Sequence, residues 1–212
     1  MLKIETVLVT EFMQNARLVW SDTDKECVVI DPGGDADKIL KVIRREGLRV
    51  KEIWLTHSHL DHCGGVAPLL QELKCPLIAH PNEQVMRSRV RTIAQMYGLP
   101  LADWHDCPEP DIAVQGGETL TVGPHRAQVL FTPGHSPGHV SFYFPEENTV
   151  ISGDALFSGS IGRTDLPGGN HEQLIRSIKQ NILTLADETS VLSGHGDDTT
   201  VGRERKNNPF LV

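Results

Sequence analysis

The sequence predicts an α+β protein in which strand-rich layers are covered by helices. Three observations carry this prediction. Short β-like runs and amphipathic helical runs are mixed along the whole chain. They do not alternate regularly, as a series of βαβ units would. No fixed-period repeat, low-complexity segment or charge block interrupts them. At 212 residues the chain is long enough to bury a substantial core without disulfide staples.

The elements follow in order. Leu2 to Val9, Ala16 to Trp20 and Cys27 to Ile30 read as strands, the first two joined as a hairpin through Gln14-Asn15. Asp31-Pro32-Gly33-Gly34 is a turn signal, and Asp35 is placed to cap a helix. That helix carries Ile39, Leu40, Val42 and Ile43 on one face and ends before Gly47. Glu52 to Thr56 is a strand that runs into His57-Ser58-His59-Leu60-Asp61-His62, with a helix following through Ala67 to Leu73. Pro76 to Ala79 is a short strand, and Pro81 starts a helix over Asn82 to Tyr97. Gly98 to Asp111 reads as a long surface loop. Strands are expected near Thr119 to Val122, Ala127 to Thr132, Val140 to Phe144 and Thr149 to Ser152. A helix over Glu172 to Leu185, a strand over Thr189 to Leu192 and a short helix after His195 complete the chain.

Composition narrows the function. With 28 acidic and 20 basic side chains the net charge is −8, so nucleic acid and anionic membrane are poor partners. No apolar stretch approaches the length of a membrane-spanning helix. Met1 to Asn15 lacks the apolar run of a signal peptide, being broken by Lys3, Glu5 and Glu11. The four cysteines form no Cys-x-x-Cys pair, which fits a reducing, cytoplasmic setting. The oligomeric state is not legible in the composition.

The chemistry concentrates in four loops that each follow an expected strand: Thr56 to His62, Thr132-Pro133-Gly134-His135, Ser152-Gly153-Asp154 and Ser193-Gly194-His195-Gly196. Together they offer His57, His59, His62, His135 and His195 with the carboxylates Asp61 and Asp154. Neutral imidazole and carboxylate are the mixture that divalent metals bind. If the strand continued, His57 and His59 would project to one side, with Asp61 and His62 past the bend, where a second metal fits. His80, His105, His125 and His171 stand in weaker contexts and read as surface or hydrogen-bonding residues.

The motif THSHLDH at 56–62, with His135, Asp154 and His195 following in order, resembles the metallo-β-lactamase fold superfamily. The resemblance runs from Asp31-Pro32-Gly33-Gly34 to Asn208-Pro209-Phe210-Leu211. Within the superfamily the chain is similar to the glyoxalase II (hydroxyacylglutathione hydrolase) branch in its short form, without the C-terminal helical extension. The stretches TPGHSPGH at 132–139, SGDALFSGSIGRTDLPGG at 152–169 and SGHG at 193–196 support this. The resemblance implies a single domain over 1–212 with a four-layer αβ/βα sandwich and metals at one edge. It implies two divalent ions, zinc first, iron or manganese as alternatives. His57, His59 and His135 would bind one ion, and Asp61, His62 and His195 the other. Asp154 would bridge them, so that Asp61 and Asp154 serve catalysis. His139 receives no metal in that pattern; it reads as a residue orienting a neighbour, or as plainly structural. Asp31 reads as a hydrogen-bond partner of a ligand histidine, or as a turn residue.

The reaction this resemblance implies is hydrolysis of a small-molecule thioester, S-lactoylglutathione being the type substrate. A hydroxide shared by two cations would attack the carbonyl. Thiolates leave readily, which removes the need for a strong general acid. Arg163 stands where the family carries a basic glutathione-binding residue, and its planar fork suits a carboxylate; the alternative is that it pairs with Asp165. Asp197 replaces the tyrosine common in the longer enzymes, which leaves glutathione as carrier open. A persulfide dioxygenase with one iron on His57, His135 and Asp154 is the second reading, supported by the Gly162 to Asp165 stretch. A β-lactamase with a thiolate ligand would need Cys in place of Asp154. A non-catalytic metal scaffold is the third, and such closed sites usually use four protein ligands, often Cys.

Overall fold

A computed structural model describes residues 1–212, and its first element is a hairpin. Leu2–Val9 (β1) pairs antiparallel with Gln14–Ser21 (β2), from Leu2 opposite Ser21 to Val9 opposite Gln14. The turn therefore falls at 10–13 and not at Gln14-Asn15, which are buried ladder residues. Thr10 and Met13 supply its two left-handed positions, at φ 59° and 53°.

The chain divides into two compact units, Met1–Ala113 with Val122–His125, and Val114–Thr121 with Arg126–Val212. In the first, Glu26–Ile30 (β3) is followed by Ala36–Glu46 (α1), Arg49–Trp54 (β4), Leu60–Cys63 (α2) and Val66–Leu73 (α3). Leu77–Ala79 (β5), Gln84–Arg87 (α4), Val90–Met96 (α5) and Ile112–Ala113 (β6) complete it. The sheet order is β1-β2-β3-β4-β5-β6. The first three strands are antiparallel and β3 to β6 run parallel, with helices in each crossover. Loops at the carboxyl ends of parallel strands are where such sheets place their ligands. Asp31 follows β3 and His57 lies just beyond β4 at that end.

The helices of this unit bury Ile39, Ile43, Val66, Leu69, Val90 and Ala94 into one core with Leu55 and Leu77. Gly47 closes α1 at φ 65°, its N–H reaching the carbonyls of Ile43 and Arg44. Asp35 precedes α1 at φ 47° without a side-chain cap. An N-cap needs an extended backbone; the carboxylate instead accepts from Thr10 N at 2.8 Å and Lys38 Nζ at 2.7 Å.

The expected helix over Asn82 to Tyr97 is broken into a 3₁₀ turn at Pro81–Glu83, α4 and α5. The cause is the following loop. In a continuous helix Arg91 N–H would bond Arg87 C=O. Here Arg91 N donates to Asp106 Oδ1 at 2.9 Å, and Arg87 O accepts from Cys107 N at 2.9 Å. The 98–111 loop is also not wholly superficial, since Trp104 and Cys107 join the core.

Next along the chain, Thr119–Val122 (β7), His125–Phe131 (β8), Val140–Phe144 (β9) and Thr149–Gly153 (β10) precede the small hairpin Leu156–Phe157 (β11) and Ser160–Ile161 (β12). His171–Ser177 (α6) runs into a π-helical turn at Ile178–Ile182, shorter than the expected helix to Leu185. Ser190–Ser193 (β13), Thr199–Thr200 (β14) and Val201–Asn207 (α7) end the chain. The sheet order is β14-β13-β10-β9-β8-β7, with β10 and β13 parallel. Leu174, Ile178 and Ile182 pack with Val150, Val191 and Val201 in its core.

Buried Glu204 on α7 holds the β11–β12 hairpin by its tip. Its Oε2 accepts from Gly159 N at 2.9 Å and from Asn208 Nδ2 at 2.8 Å, and Asn208 Nδ2 also donates to Ser160 O at 2.9 Å. No helix of the chain is long and apolar enough to cross a membrane.

Candidate metal centre

In the first unit, the loop after β4 and the turn of α2 carry four candidate ligands, and a buried carboxylate, Asp31, fixes where that loop begins. Asp31 stands just past β3 at φ 51°, 2% exposed. Its Oδ1 accepts Thr56 N at 2.7 Å and its Oδ2 accepts the Thr56 hydroxyl at 2.6 Å. The same Oδ2 lies 3.0 Å from His62 Nδ1. Because the Thr56 proton is committed to Asp31, its Oγ1, 3.0 Å from His57 Nδ1, acts as acceptor for the ring N–H. Both His57 and His62 are thereby held as Nδ1–H tautomers with Nε2 lone pairs, the form that binds metals. Asp31, His57 and His62 have ligand atoms within 4.8 Å of one another. We read Asp31 as orienting rather than ligating, since both its oxygens are already engaged.

His59 closes the set: His57 Nε2 and His59 Nδ1 lie 3.1 Å apart, and the rings of His57 and His62 are 4.1 Å between centroids. Asp61 and His62 sit on the single turn of α2, with Asp61 Oδ2 3.9 Å from His62 Nε2. The glycines of the preceding turn make this possible. A Cβ on Gly33 would stand 1.5 Å from the Asp61 carbonyl oxygen, so only a bare backbone fits beside α2.

In the second unit, His135, Asp154 and His195 follow β8, β10 and β13. Gly134, at φ 133° and with its Cβ position 2.3 Å from Leu174 N, admits only glycine before His135. His135 Nδ1 donates to Arg163 O at 2.8 Å, which leaves Nε2 as the lone pair. Asp154 Oδ2 lies 3.6 Å from His135 Nε2 and 3.7 Å from His195 Nε2.

His139 has both ring nitrogens in use. Its Nε2 accepts Asp154 N at 3.1 Å, so its Nδ1–H donates to Thr132 Oγ1 at 2.8 Å, and Thr132 in turn meets Ser141 Oγ at 2.9 Å. This fully buried neutral ring holds the backbone of Asp154.

These donors fit a divalent metal. Two donors at zinc-ligand distance on one tetrahedral ion lie about 3.4 Å apart. The His135–Asp154 and Asp154–His195 separations are close to this, and too long for hydrogen bonds. A carboxylate oxygen equidistant from two histidine lone pairs is the arrangement a shared ligand requires. In the first unit, His57 Nε2 and His59 Nδ1 face each other at 3.1 Å, where two lone pairs repel unless a proton or a cation lies between them. Cys63, next to His62, is not part of the donor set: its thiol donates to Ser58 O at 3.4 Å. All four cysteines are unbridged.

Arg163 is exposed, and its guanidinium forks onto Asp165, Nε to Oδ1 at 2.8 Å and Nη2 to Oδ2 at 2.7 Å. That hydrogen-bonded pair holds the Asp165 carboxyl at about 2, against an ordinary value of 3.8. A carboxyl depressed on folding contributes stability above its unfolded pKa and loses it as pH falls through the folded one. The pair therefore stays closed through the neutral range and opens only near pH 2. Carboxyl NMR should show Asp165 titrating near 2, and Arg163→Ala should move it back toward 3.8; an unmoved midpoint would mean the fork does not form in solution.

The sequence offered no signal for Glu83, which accepts Ser58 N between two candidate ligands. Nor did it mark Thr56 and Thr132 as acceptors for His57 and His139.

The sequence profile described as the Metallo-beta-lactamase superfamily matches residues 9–195. A Bacillus subtilis protein named "Probable metallo-hydrolase YqgX" is 41% identical over 191 residues, 89% of each chain. The Haemophilus influenzae "Hydroxyacylglutathione hydrolase GloC" is 37% identical over 217 residues, 99% of this chain and 98% of that one. Among solved structures, the BLEG-1 B3 metallo-beta-lactamase has a TM-score of 0.89 and 39% identity, over 100% of both chains. TTHA1623 in a di-iron-bound form has 0.88 and 41%, over 98% of this chain and 100% of that one. ETHE1 from Myxococcus xanthus has 0.80 and 26%, over 98% of this chain and 83% of that one. The α+β metallo-β-lactamase fold is thus shared along the full length.

Proposed function

Because the chain belongs to the metallo-β-lactamase superfamily, we propose that it is a metal-dependent thioesterase whose substrates are hydroxyacyl-glutathione thioesters such as S-lactoylglutathione. The observation that carries this reading is the Asp154 carboxylate oxygen set 3.6 and 3.7 Å from His135 and His195. The likeness to a hydroxyacylglutathione hydrolase over nearly the whole of both chains supports the substrate class. By the family resemblance, His57, His59 and His135 would hold one ion and Asp61, His62 and His195 the other, with Asp154 shared. Zinc is the expected metal, and the di-iron relative makes iron the alternative.

When bound, the two ions would acidify a shared water and polarise the thioester carbonyl. The chain's own residues do the rest. Asp31 and Thr56 keep His57 and His62 in the metal-binding tautomer, and Arg163 O does so for His135. His139 fixes the main chain from which the Asp154 carboxylate projects. In the reaction a C–O bond forms, the C–S bond breaks, and the thiolate departs without a strong acid. Arg163 enters as a weak contributor to substrate binding, because Asp165 already occupies its fork. Asp165→Asn frees it, and should lower KM for an anionic thioester without changing kcat. An unchanged KM would remove Arg163 from the substrate site.

The test of function is loss of S-lactoylglutathione thioester absorbance, with metal content assayed alongside. Turnover abolished by chelation and restored by zinc or iron is the expected result, with two ions per chain. Loaded protein that leaves the thioester intact overturns the substrate assignment. Hydrolysis of a β-lactam would then bring it to the activity named for one structural relative. Oxygen uptake with glutathione persulfide and one iron per chain would instead establish the dioxygenase reading, to which the Gly162-Arg163-Thr164-Asp165 stretch gives its support.

A further inference from the structure

Glu83 lies outside every motif, at the end of the 3₁₀ turn that follows β5, and is 1% exposed. A buried carboxylate is costly unless its oxygens are engaged. Here Oε2 accepts the backbone N–H of Ser58 at 2.9 Å, across 25 residues of sequence. Ser58 separates His57 from His59, and its carbonyl in turn accepts the Cys63 thiol at 3.4 Å. Ser58 is therefore held at both its N–H and its carbonyl, that is, in the two successive peptide groups that link His57 to His59. Asp31 grips Thr56 N in the same way, so buried carboxylates fix the backbone on either side of His57.

We propose that Glu83 is a positioning residue for the metal ligands His57 and His59, acting as acceptor for Ser58 N–H. The inference rests on the metal-centre reading above, not on the thioester. Removing the acceptor lets the Ser58 peptide rotate, and both imidazoles follow it, because each is attached one residue away. Ligand geometry that is loose by about 1 Å is enough to weaken a site. The requirement is for an acceptor at that reach, not for the negative charge.

Zinc affinity of the full-length protein, measured by competition with a chromophoric chelator, reads this without any substrate. Glu83→Gln keeps an oxygen at the same reach and should stay within about threefold of the parent. Glu83→Met keeps the bulk without the acceptor and should bind zinc roughly 10–100-fold more weakly, the range for loss of a ligand's supporting partner. The cobalt-loaded Glu83→Met protein should also show a shifted visible absorption band, which a role confined to folding would not move. Equal affinity in Glu83→Met, or a Glu83→Gln protein as weak as Glu83→Met, overturns the proposal. If Glu83→Met does not fold, Glu83→Asp replaces it. That variant keeps the charge but withdraws the acceptor by one methylene, and must bind more weakly than Glu83→Gln. A parent protein that binds no divalent metal overturns both readings, whereas one that binds zinc but leaves thioesters intact removes only the substrate assignment.

Discussion

Asp154→Asn is expected to reduce thioester kcat/KM by roughly 10²–10³-fold or more, the scale for losing a preorganised electrostatic group. It should also bring bound metal from two ions per chain toward one. The substitution leaves the shape intact, since the Asp154 main chain is held through its N–H by His139 and not through the side chain. What changes is charge. A carboxylate shared between two cations lowers their mutual repulsion, and a neutral amide does not. Arg163→Ala is the matched comparison. Its guanidinium is exposed and already forked onto Asp165, so its loss should alter KM by a few-fold at most. Metal content by elemental analysis and initial rates on the same preparations check both. If Asp154→Asn keeps two ions and full turnover, the bridging assignment is wrong.

The ligand candidates were legible because their signals are short in sequence. THSHLDH and the Gly-His and Gly-Asp turns are each readable within seven residues, and the structure puts each just beyond β4, β8, β10 or β13. Strands were legible for a similar reason: runs such as Val140–Phe144 are bounded by turn residues, and that range is the observed β9. What failed involved partners distant in sequence. The helix expected from Asn82 to Tyr97 breaks because Asp106 and Cys107 take the hydrogen bonds of Arg91 and Arg87. No local propensity near Ser88 announces that. Asp35 has the composition of a cap, yet Thr10 and Lys38 claim its carboxylate. Glu83 reads as an ordinary polar residue of a helix start, and its partner Ser58 is 25 residues away.

Gly162→Ala should have the second large effect, and it tests a constraint that no ligand motif contains. A Cβ at Gly162 would fall 1.9 Å from the Asp154 carbonyl oxygen and 3.0 Å from His135 Nδ1. The first neighbour is backbone, and it cannot swing aside as a flexible side chain can. The second is a ring nitrogen already bonded to Arg163 O at 2.8 Å, so it has no open direction either. Gly162 N is itself tied to Ala155 O at 3.2 Å, which opposes retreat of the strand. One methyl group therefore acts as a wedge between two candidate ligands. Overpacking of this kind costs about 1–3 kcal/mol, and more where backbone must move. Thermal unfolding should fall accordingly, and metal affinity with it. Gly159→Ala in the same hairpin separates sterics from strain. It meets no atom within 4 Å but sits at φ 72°, so it should lose about 1 kcal/mol of stability while retaining its metal. A Gly162→Ala protein with the metal content of Gly159→Ala would show that the Asp154–His135 spacing tolerates expansion, and that the centre does not depend on the closeness of these two residues.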